Sequence, residues 1–192
     1  MNQALGMCND RDYVWFVNAG DELTGREATQ LARWFLRSRP VWGYGPVIIV
    51  EEDGRVRKKT DTSPYSLRKH SLQSIAVCHH SVIANFGVLR RLGMFDLSYS
   101  IAADFKLLLR LGSLYTPTQW PVPLVAYRAG LLSDRNLRET IRQQSRIRRV
   151  ELQLEGSRLW EHYVNHTLRV GRFYARSAWQ AYQRRHAVEG RT

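Results

Sequence analysis

Two aspartates stand where their surroundings suit chemistry. Asp21 follows the apolar run Tyr13-Val14-Trp15-Phe16-Val17 by way of the turn Asn18-Ala19-Gly20, so a carboxylate is expected just past the end of a strand. Ligands in open α/β sheets bind beyond the carboxyl ends of strands. An aspartate oxygen there is the hard ligand that Mg²⁺ or Mn²⁺ prefers, and such ions are commonly shared between one or two carboxylates and substrate phosphates. The same residue types also make ordinary turns and caps. Asp104 lies in Tyr99-Ser100-Ile101-Ala102-Ala103-Asp104-Phe105-Lys106-Leu107, which reads as a loop entering an amphipathic helix. An anion in a first helical turn is favoured by the helix dipole, so a plain helix-start role stands beside a functional one.

The elements that must position these groups follow from pattern. Apolar spacing predicts a helix over about 26–37, then a strand led by Gly43-Tyr44-Gly45 through Val50. Val47–Val50, the turn 51–54 and the basic run Arg55-Val56-Arg57-Lys58-Lys59 predict a β-hairpin at a sheet edge. A short strand over Ser74–Val77 should lead to Cys78-His79-His80. Phe86–Leu92 should be a helix stopped by Gly93, and Pro121–Tyr127 another strand. Ser133 is the expected N-cap of the first helix of the C-terminal tail.

Composition sets the class. With 44% hydrophobic and 24% charged residues among 192, the chain suits one folded domain with a real core and not a disordered segment. Cys8 and Cys78 have no metal-ligand spacing, so reduced thiols in a cytoplasmic setting are expected. The first residues lack a signal-peptide pattern, and no window of about eighteen apolar residues suggests a transmembrane helix.

The net charge of +12 is concentrated in the tail, where residues 135–192 hold thirteen arginines against five glutamates. Trp160, Tyr163, Val164, Thr167, Leu168, Gly171, Tyr174, Ala175, Ala178, Trp179 and Tyr182 recur at three- and four-residue steps, predicting one long helix with an aromatic stripe. Arginine beside exposed Trp and Tyr suits the headgroup layer of an anionic membrane. Packing of that stripe on the domain or on a twin subunit is the competing expectation. Nucleic-acid binding is not expected, because no nucleic-acid module accompanies the charge.

The order of short motifs resembles the family 2 glycosyltransferases of the GT-A fold, in particular those of exopolysaccharide and colanic-acid-type gene clusters. Met1-Asn2-Gln3-Ala4-Leu5 is similar to that family's Met-Asn-Lys-Gly/Ala segment, Asn18 to Asp21 to its Asn-x-x-Asp metal motif, and Tyr44-Gly45-Pro46 to its Tyr-Gly-Asp. Cys78-His79-His80-Ser81 is similar to Cys-His-Gln-Ser, and Gly93 to Asp104 to a Gly-Gly-Phe-Asp run ending in Ala-Ala-Asp. Tyr127 to Ser133 is similar to Arg-x-Gly-Gly-x-Ser. Pro46, His80 and Leu131 depart from the family pattern, at positions that bear on the detail of the donor and acceptor pockets the resemblance implies. The matches cover about residues 1–150.

The resemblance implies an α/β fold: a partial GT-A, Rossmann-like mixed sheet flanked by helices over 1–133, followed by amphipathic helices over 134–192. It implies inverting transfer of a sugar from a nucleotide-sugar to a hydroxyl of a saccharide or lipid-linked saccharide. Asp21 would hold the divalent metal, and Asp104 would take the hydroxyl proton. Asn2 and Asn18 would lie by the donor, and His79 and His80 would line the acceptor pocket unless they are hydrogen-bonded structural residues. Arg128 would bind a diphosphate unless it serves a salt bridge. A setting at the inner face of the plasma membrane follows. Family members carry strands before the segment matching Met1, so the expectation is a chain that begins midway through the domain. An inactive remnant or a basic membrane- or partner-binding adaptor is the alternative.

Overall fold

A computed structural model describes residues 2–50, 54–59, 64–72, 77–128, 136–165, 167–168, 171, 175 and 179. In chain order these form α1 (Asn2–Leu5), β1 (Tyr13–Trp15), β2 (Glu22–Leu23), α2 (Gly25–Ser38), β3 (Trp42–Tyr44), β4 (Val47–Val50) and β5 (Val56–Lys59). There follow α3 (Leu67–Leu72), a 3₁₀ turn at His79–Ser81, β6 (Ile83–Asn85), α4 (Phe86–Arg91), α5 (Ala103–Leu114), β7 (Thr118–Gln119), β8 (Val125–Arg128) and α6 (Leu137–Glu151). Residues 156–165 are helical again, as are 167–168, 171, 175 and 179.

The strands make two open, mixed, four-stranded sheets, ordered β1-β6-β3-β7 and β2-β8-β4-β5. In the first, β6 runs antiparallel to both β1 and β3, and β3 runs parallel to β7. In the second, β8 runs antiparallel to β2 and parallel to β4, and the basic strand β5 closes the edge as the outgoing arm of the expected hairpin. The architecture is therefore α/β with helices against mixed sheets.

One expectation changes here. The segment from Gly43 to Val50 is two strands in different sheets, not one. Pro46 has no N–H to give a ladder. The Pro46 carbonyl accepts from Leu124 N (3.1 Å) and the Tyr44 carbonyl from Trp120 N (2.8 Å), so the chain changes partner at Gly45-Pro46. The strand expected over Pro121–Tyr127 is confined to Val125–Arg128. Of Ser74–Val77 only Val77 is described, and it lies outside any strand; Ser133 lies outside the described residues.

Each helix follows its sequence pattern. In α2, Ala28, Leu31 and Phe35 are buried at the spacing of one face. The helix stops at Arg39, which takes the left-handed conformation (φ 49°) and donates its N–H to the Phe35 carbonyl at 2.9 Å ahead of Pro40. Asn85 caps α4, its side chain accepting from Val88 N at 3.1 Å. Helix α5 buries Phe105, Leu107, Leu108, Leu109 and Leu111. Helix α6 joins the same core: Ile147 packs with Tyr99, Ala102, Phe105 and Leu109, and Gln143 Oε1 accepts from the N–H groups of Ile101 and Ala102, both at 3.1 Å. Those bonds fix the loop that enters α5, and with it Asp104.

Several large apolar side chains of the C-terminal helical residues are exposed. Trp160 is 72% exposed and Trp179 60%, with Tyr163, Val164 and Leu168 also exposed, while His162 points inward and is buried. Tyr174, Ala178 and Tyr182 lie outside the described residues.

Candidate functional site

Strand register brings the candidate residues together. Trp15, the last residue of β1, pairs with Ile83, the first of β6. The chain leaving β1 toward Asp21 and the chain arriving through His79–Ser81 therefore share one edge of the sheet. Trp15 Nε1 donates to the His80 carbonyl at 2.8 Å and pins that junction. The 3₁₀ turn closes on itself, with Ser81 N donating to Cys78 O and Val82 N to His79 O, both at 3.0 Å.

At this edge a chain of four side chains runs from the interior outward. The Asn18–Asp21 turn is closed twice, by Asp21 N donating to Asn18 O (3.1 Å) and Asn18 N donating to Asp21 Oδ2 (3.0 Å). The turn thus folds the Asp21 carboxylate inward, where it is 3% exposed and its Oδ2 also meets Nδ1 of His80. The His80 ring, 2% exposed, stacks on Tyr127 of β8 with centroids 4.9 Å apart and an interplanar angle of 19°. On its other side lies His79, with centroids 4.1 Å apart. His79 Nδ1 is 2.8 Å from Oδ2 of Asp104, with side-chain exposures of 18% and 29%. Asp104 Oδ1 accepts from Phe105 N at 2.7 Å, so the first turn of α5 holds that oxygen.

Protonation follows from surroundings. Burial, with the neighbouring His79 second, pushes the His80 imidazole below its usual range, against the pull of Asp21 and Asp104. A neutral ring beside a carboxylate oxygen carries its proton on the facing nitrogen, so His80 Nδ1–H donates to Asp21. Burial pushes the Cys78 thiol up to about 12, which keeps it protonated. Nε2 of His79 is buried and has no hydrogen-bond partner among the described residues.

Three further expected site residues are Asn2, Asn18 and Arg128. The Asn2 amide is spent on the Phe95 peptide, with Nδ2 donating to its carbonyl (2.9 Å) and Oδ1 accepting from its N–H (3.3 Å). That clamps α1 to the loop before α5. Asn18 contributes its backbone to the turn. Arg128 ends β8, and its side chain lies outside the described residues. Tyr127 and Trp15, which support the histidine pair, were not singled out from sequence. Strand-end aromatics are too common to carry that signal, and only the sheet register shows what they touch.

For a divalent cation the donor set is sparse. No group of three or more His, Cys, Asp or Glu suited to a metal occurs among the described residues. Asp21 supplies one hard oxygen site at the inner end, with Oδ2 already accepting two hydrogen bonds. Such a set fits a cation that brings most of its ligands with a diphosphate, not one held by a protein cage.

No family model matches the chain. Over 114 residues it is 32% identical to a protein named an uncharacterized glycosyltransferase in Mycobacterium tuberculosis strain CDC 1551 / Oshkosh. The identity is the same to a protein named in the same way in strain ATCC 25618 / H37Rv. Each match takes in 57% of this chain and 42% of the relative, so the chain spans less than half the length of the curated relatives it matches. It is thus distantly similar, over part of its length, to proteins that carry the glycosyltransferase name.

Proposed function

We propose that the chain belongs to a glycosyltransferase of GT-A type that moves a sugar from a nucleotide-sugar to a hydroxyl of a saccharide or lipid-linked saccharide, with inversion. The observation that carries this reading is the Asp21-His80-His79-Asp104 array at one sheet edge, in a chain similar to proteins named glycosyltransferases. The two carboxylates lie at its opposite ends. The buried Asp21 end suits a diphosphate-bound cation, Mg²⁺ or Mn²⁺, which when present would offset charge on the departing diphosphate. The more exposed Asp104 end suits the acceptor, whose hydroxyl must lose a proton as it attacks. His79 and His80 lie between the two carboxylates, with Tyr127 stacked on His80.

The exposed Trp160 and Trp179, on a tail rich in arginine, support peripheral attachment to an anionic membrane. No described helix is long and apolar enough to cross a membrane. In this reading the protein works at the inner face of the plasma membrane, where a lipid-linked acceptor is presented.

The test is direct. The purified chain is titrated by calorimetry with uridine and guanosine diphosphate sugars, with and without Mn²⁺, and release of nucleoside diphosphate is followed with saccharide or lipid-linked acceptors. Donor binding and acceptor-dependent release support the reading. Binding of none of these donors, with or without the metal, overturns it.

A further inference from the structure

Helix α6 lies in the region whose sequence reads as a basic tail, yet one stripe of it backs the start of α5. Glu139, Gln143, Ile147 and Glu151 recur at four-residue steps and so share a face of the helix. Gln143 reaches the loop entering α5, and Ile147 packs with Ala102, Phe105 and Leu109. Glu151 accepts from Arg110 Nε at 2.6 Å and Nη2 at 2.9 Å. Lys106 adds a link, standing 3.4 Å from Glu151 Oε1 and paired with Asp96 of the loop before α5.

Gln143 is the member of this stripe whose bonding capacity is filled. It is 8% exposed, and a side-chain amide has two lone pairs and two N–H groups to place. Oε1 accepts from Ile101 N and Ala102 N, both at 3.1 Å. Nε2 donates to Ser100 Oγ and to Glu139 Oε1, both at 2.9 Å. Backbone N–H groups only donate, so the amide oxygen must face the loop and the group cannot flip. Ala102, at the cap position of α5, has no side-chain oxygen with which to hold the helix start itself. Three consecutive residues just ahead of Asp104 are thereby tied to one side chain of another helix.

We infer that Gln143 is a positioning residue of the candidate site, setting the place of the Asp104 carboxylate from α6 and making that helix part of the transferring unit. The inference rests on the reading of Asp104 as the group that meets the acceptor hydroxyl, and it names what holds that group. The Asp104 side chain is short, with Oδ1 on Phe105 N and Oδ2 toward His79, so its place follows the backbone of the first turn. That backbone follows the Ser100–Ala102 segment. Moving a reacting group by about 1 Å can cost about 10²-fold in rate. An apolar residue at 143 would leave the Ile101 and Ala102 N–H groups without their acceptor, and the loop must then shift to find another.

Two measurements on the full chain test the assignment. Amide hydrogen exchange needs no turnover: the Ile101 and Ala102 N–H groups should be protected in wild type and exchange at least about tenfold faster in Gln143→Met, while Leu31 and Phe35 of α2 keep their rates. Equal rates in the two proteins overturn the inference. The second measurement sets kcat, from release of nucleoside diphosphate, beside donor affinity from calorimetry. Gln143→Met should lower kcat about 10- to 10²-fold and leave donor Kd within about threefold of wild type. If Gln143→Met does not fold, Gln143→Asn, which keeps the amide but draws it back by one bond, should show the same split. Combining Gln143→Glu with Glu139→Gln exchanges carboxylate and amide, keeps an acceptor for both N–H groups, and should return kcat to within about threefold of wild type. Wild-type kcat in the folded single variant, no rescue by the exchanged pair, or a loss of donor binding as large as the loss of kcat each overturns the positioning role. Those results leave the glycosyltransferase reading standing, whereas a wild-type chain that binds no donor sinks both.

Discussion

His79 and His80 stack with ring centroids 4.1 Å apart and turn their Nδ1 atoms to different carboxylates, His79 to Asp104 and His80 to Asp21. Two consecutive residues thereby join positions more than eighty apart in sequence. The inner half of this array is sealed and the outer half is open, which assigns unequal consequences to changes at its two ends.

At the inner end, His80→Phe keeps an aromatic ring against Tyr127 but removes the donor to Asp21. Asp21 Oδ2 is left with the Asn18 N–H alone in a place 3% exposed. The expected loss is about 1–3 kcal/mol in urea denaturation. Asp21→Asn made in that background should cost less than in wild type, with a coupling of about 0.5–3 kcal/mol, and strict additivity would show that the pair does not interact.

Function should divide along the same line. Asp104→Asn is expected to lower transfer by about 10²-fold or more while calorimetric donor binding stays near wild type. Asp21→Asn is expected to weaken Mn²⁺-dependent donor binding as well, because it alters the hard oxygen site that Asp21 supplies at the inner end. Equal loss of binding in both variants would refute the division.

A third histidine sets a pH dependence of stability. His70 is buried against Tyr65 and Phe105, and burial first, then Arg148, holds it down at about 4 from an ordinary 6.5, against the pull of Asp104. Between those values the unfolded chain binds the proton and the folded chain does not. Its stabilising contribution is therefore complete above about 6.5 and lost as pH falls toward about 4, at up to about 1.4 kcal/mol per pH unit. Denaturant melts of wild type and His70→Gln should converge as the pH is lowered through that window. A constant gap would show that His70 is not the group responsible.

Gly43 is where the first sheet depends on a missing side chain. A Cβ there would press on the Thr118 carbonyl oxygen of β7 and lie 2.7 Å from Cζ of Phe35. Phe35 can shift, but the carbonyl is backbone held in the parallel pairing of β3 with β7. Gly43→Ala should cost about 1–3 kcal/mol by thermal or urea melting, outweighing the better strand propensity of alanine. A neutral effect would mean that β7 moves freely.

The tail should bind anionic vesicles with a steep salt dependence, since each arginine near such a surface contributes about 1 kcal/mol and charges beyond a Debye length are screened. Trp160→Ala with Trp179→Ala should weaken co-sedimentation without removing the salt dependence, because both residues are exposed and their rings can add apolar burial at the membrane. Wild-type protein that ignores anionic vesicles at low salt would refute membrane attachment.

Local pattern alone determined much of this molecule. The face of α2 marked by Ala28, Leu31 and Phe35, the β4–β5 hairpin, the Asn85-led helix and the first turn of α5 with Asp104 are set by neighbours a few residues away. Periodicity, turns and helix starts act over that range and can be read from a string. The partner exchange at Gly45-Pro46 and the inward turn of Asp21 were not legible in that way. Nor were the use of Asn2 as a clamp on Phe95 and the link from Asp21 through His80 and His79 to Asp104. These depend on the pairing of Trp15 with Ile83 and on the docking of α6 against the loop entering α5, contacts between residues distant in sequence. Burial then decided the chemistry: the same two imidazoles in water would be alike, and the fold makes one a sealed hydrogen-bond donor while leaving the other an unpaired nitrogen.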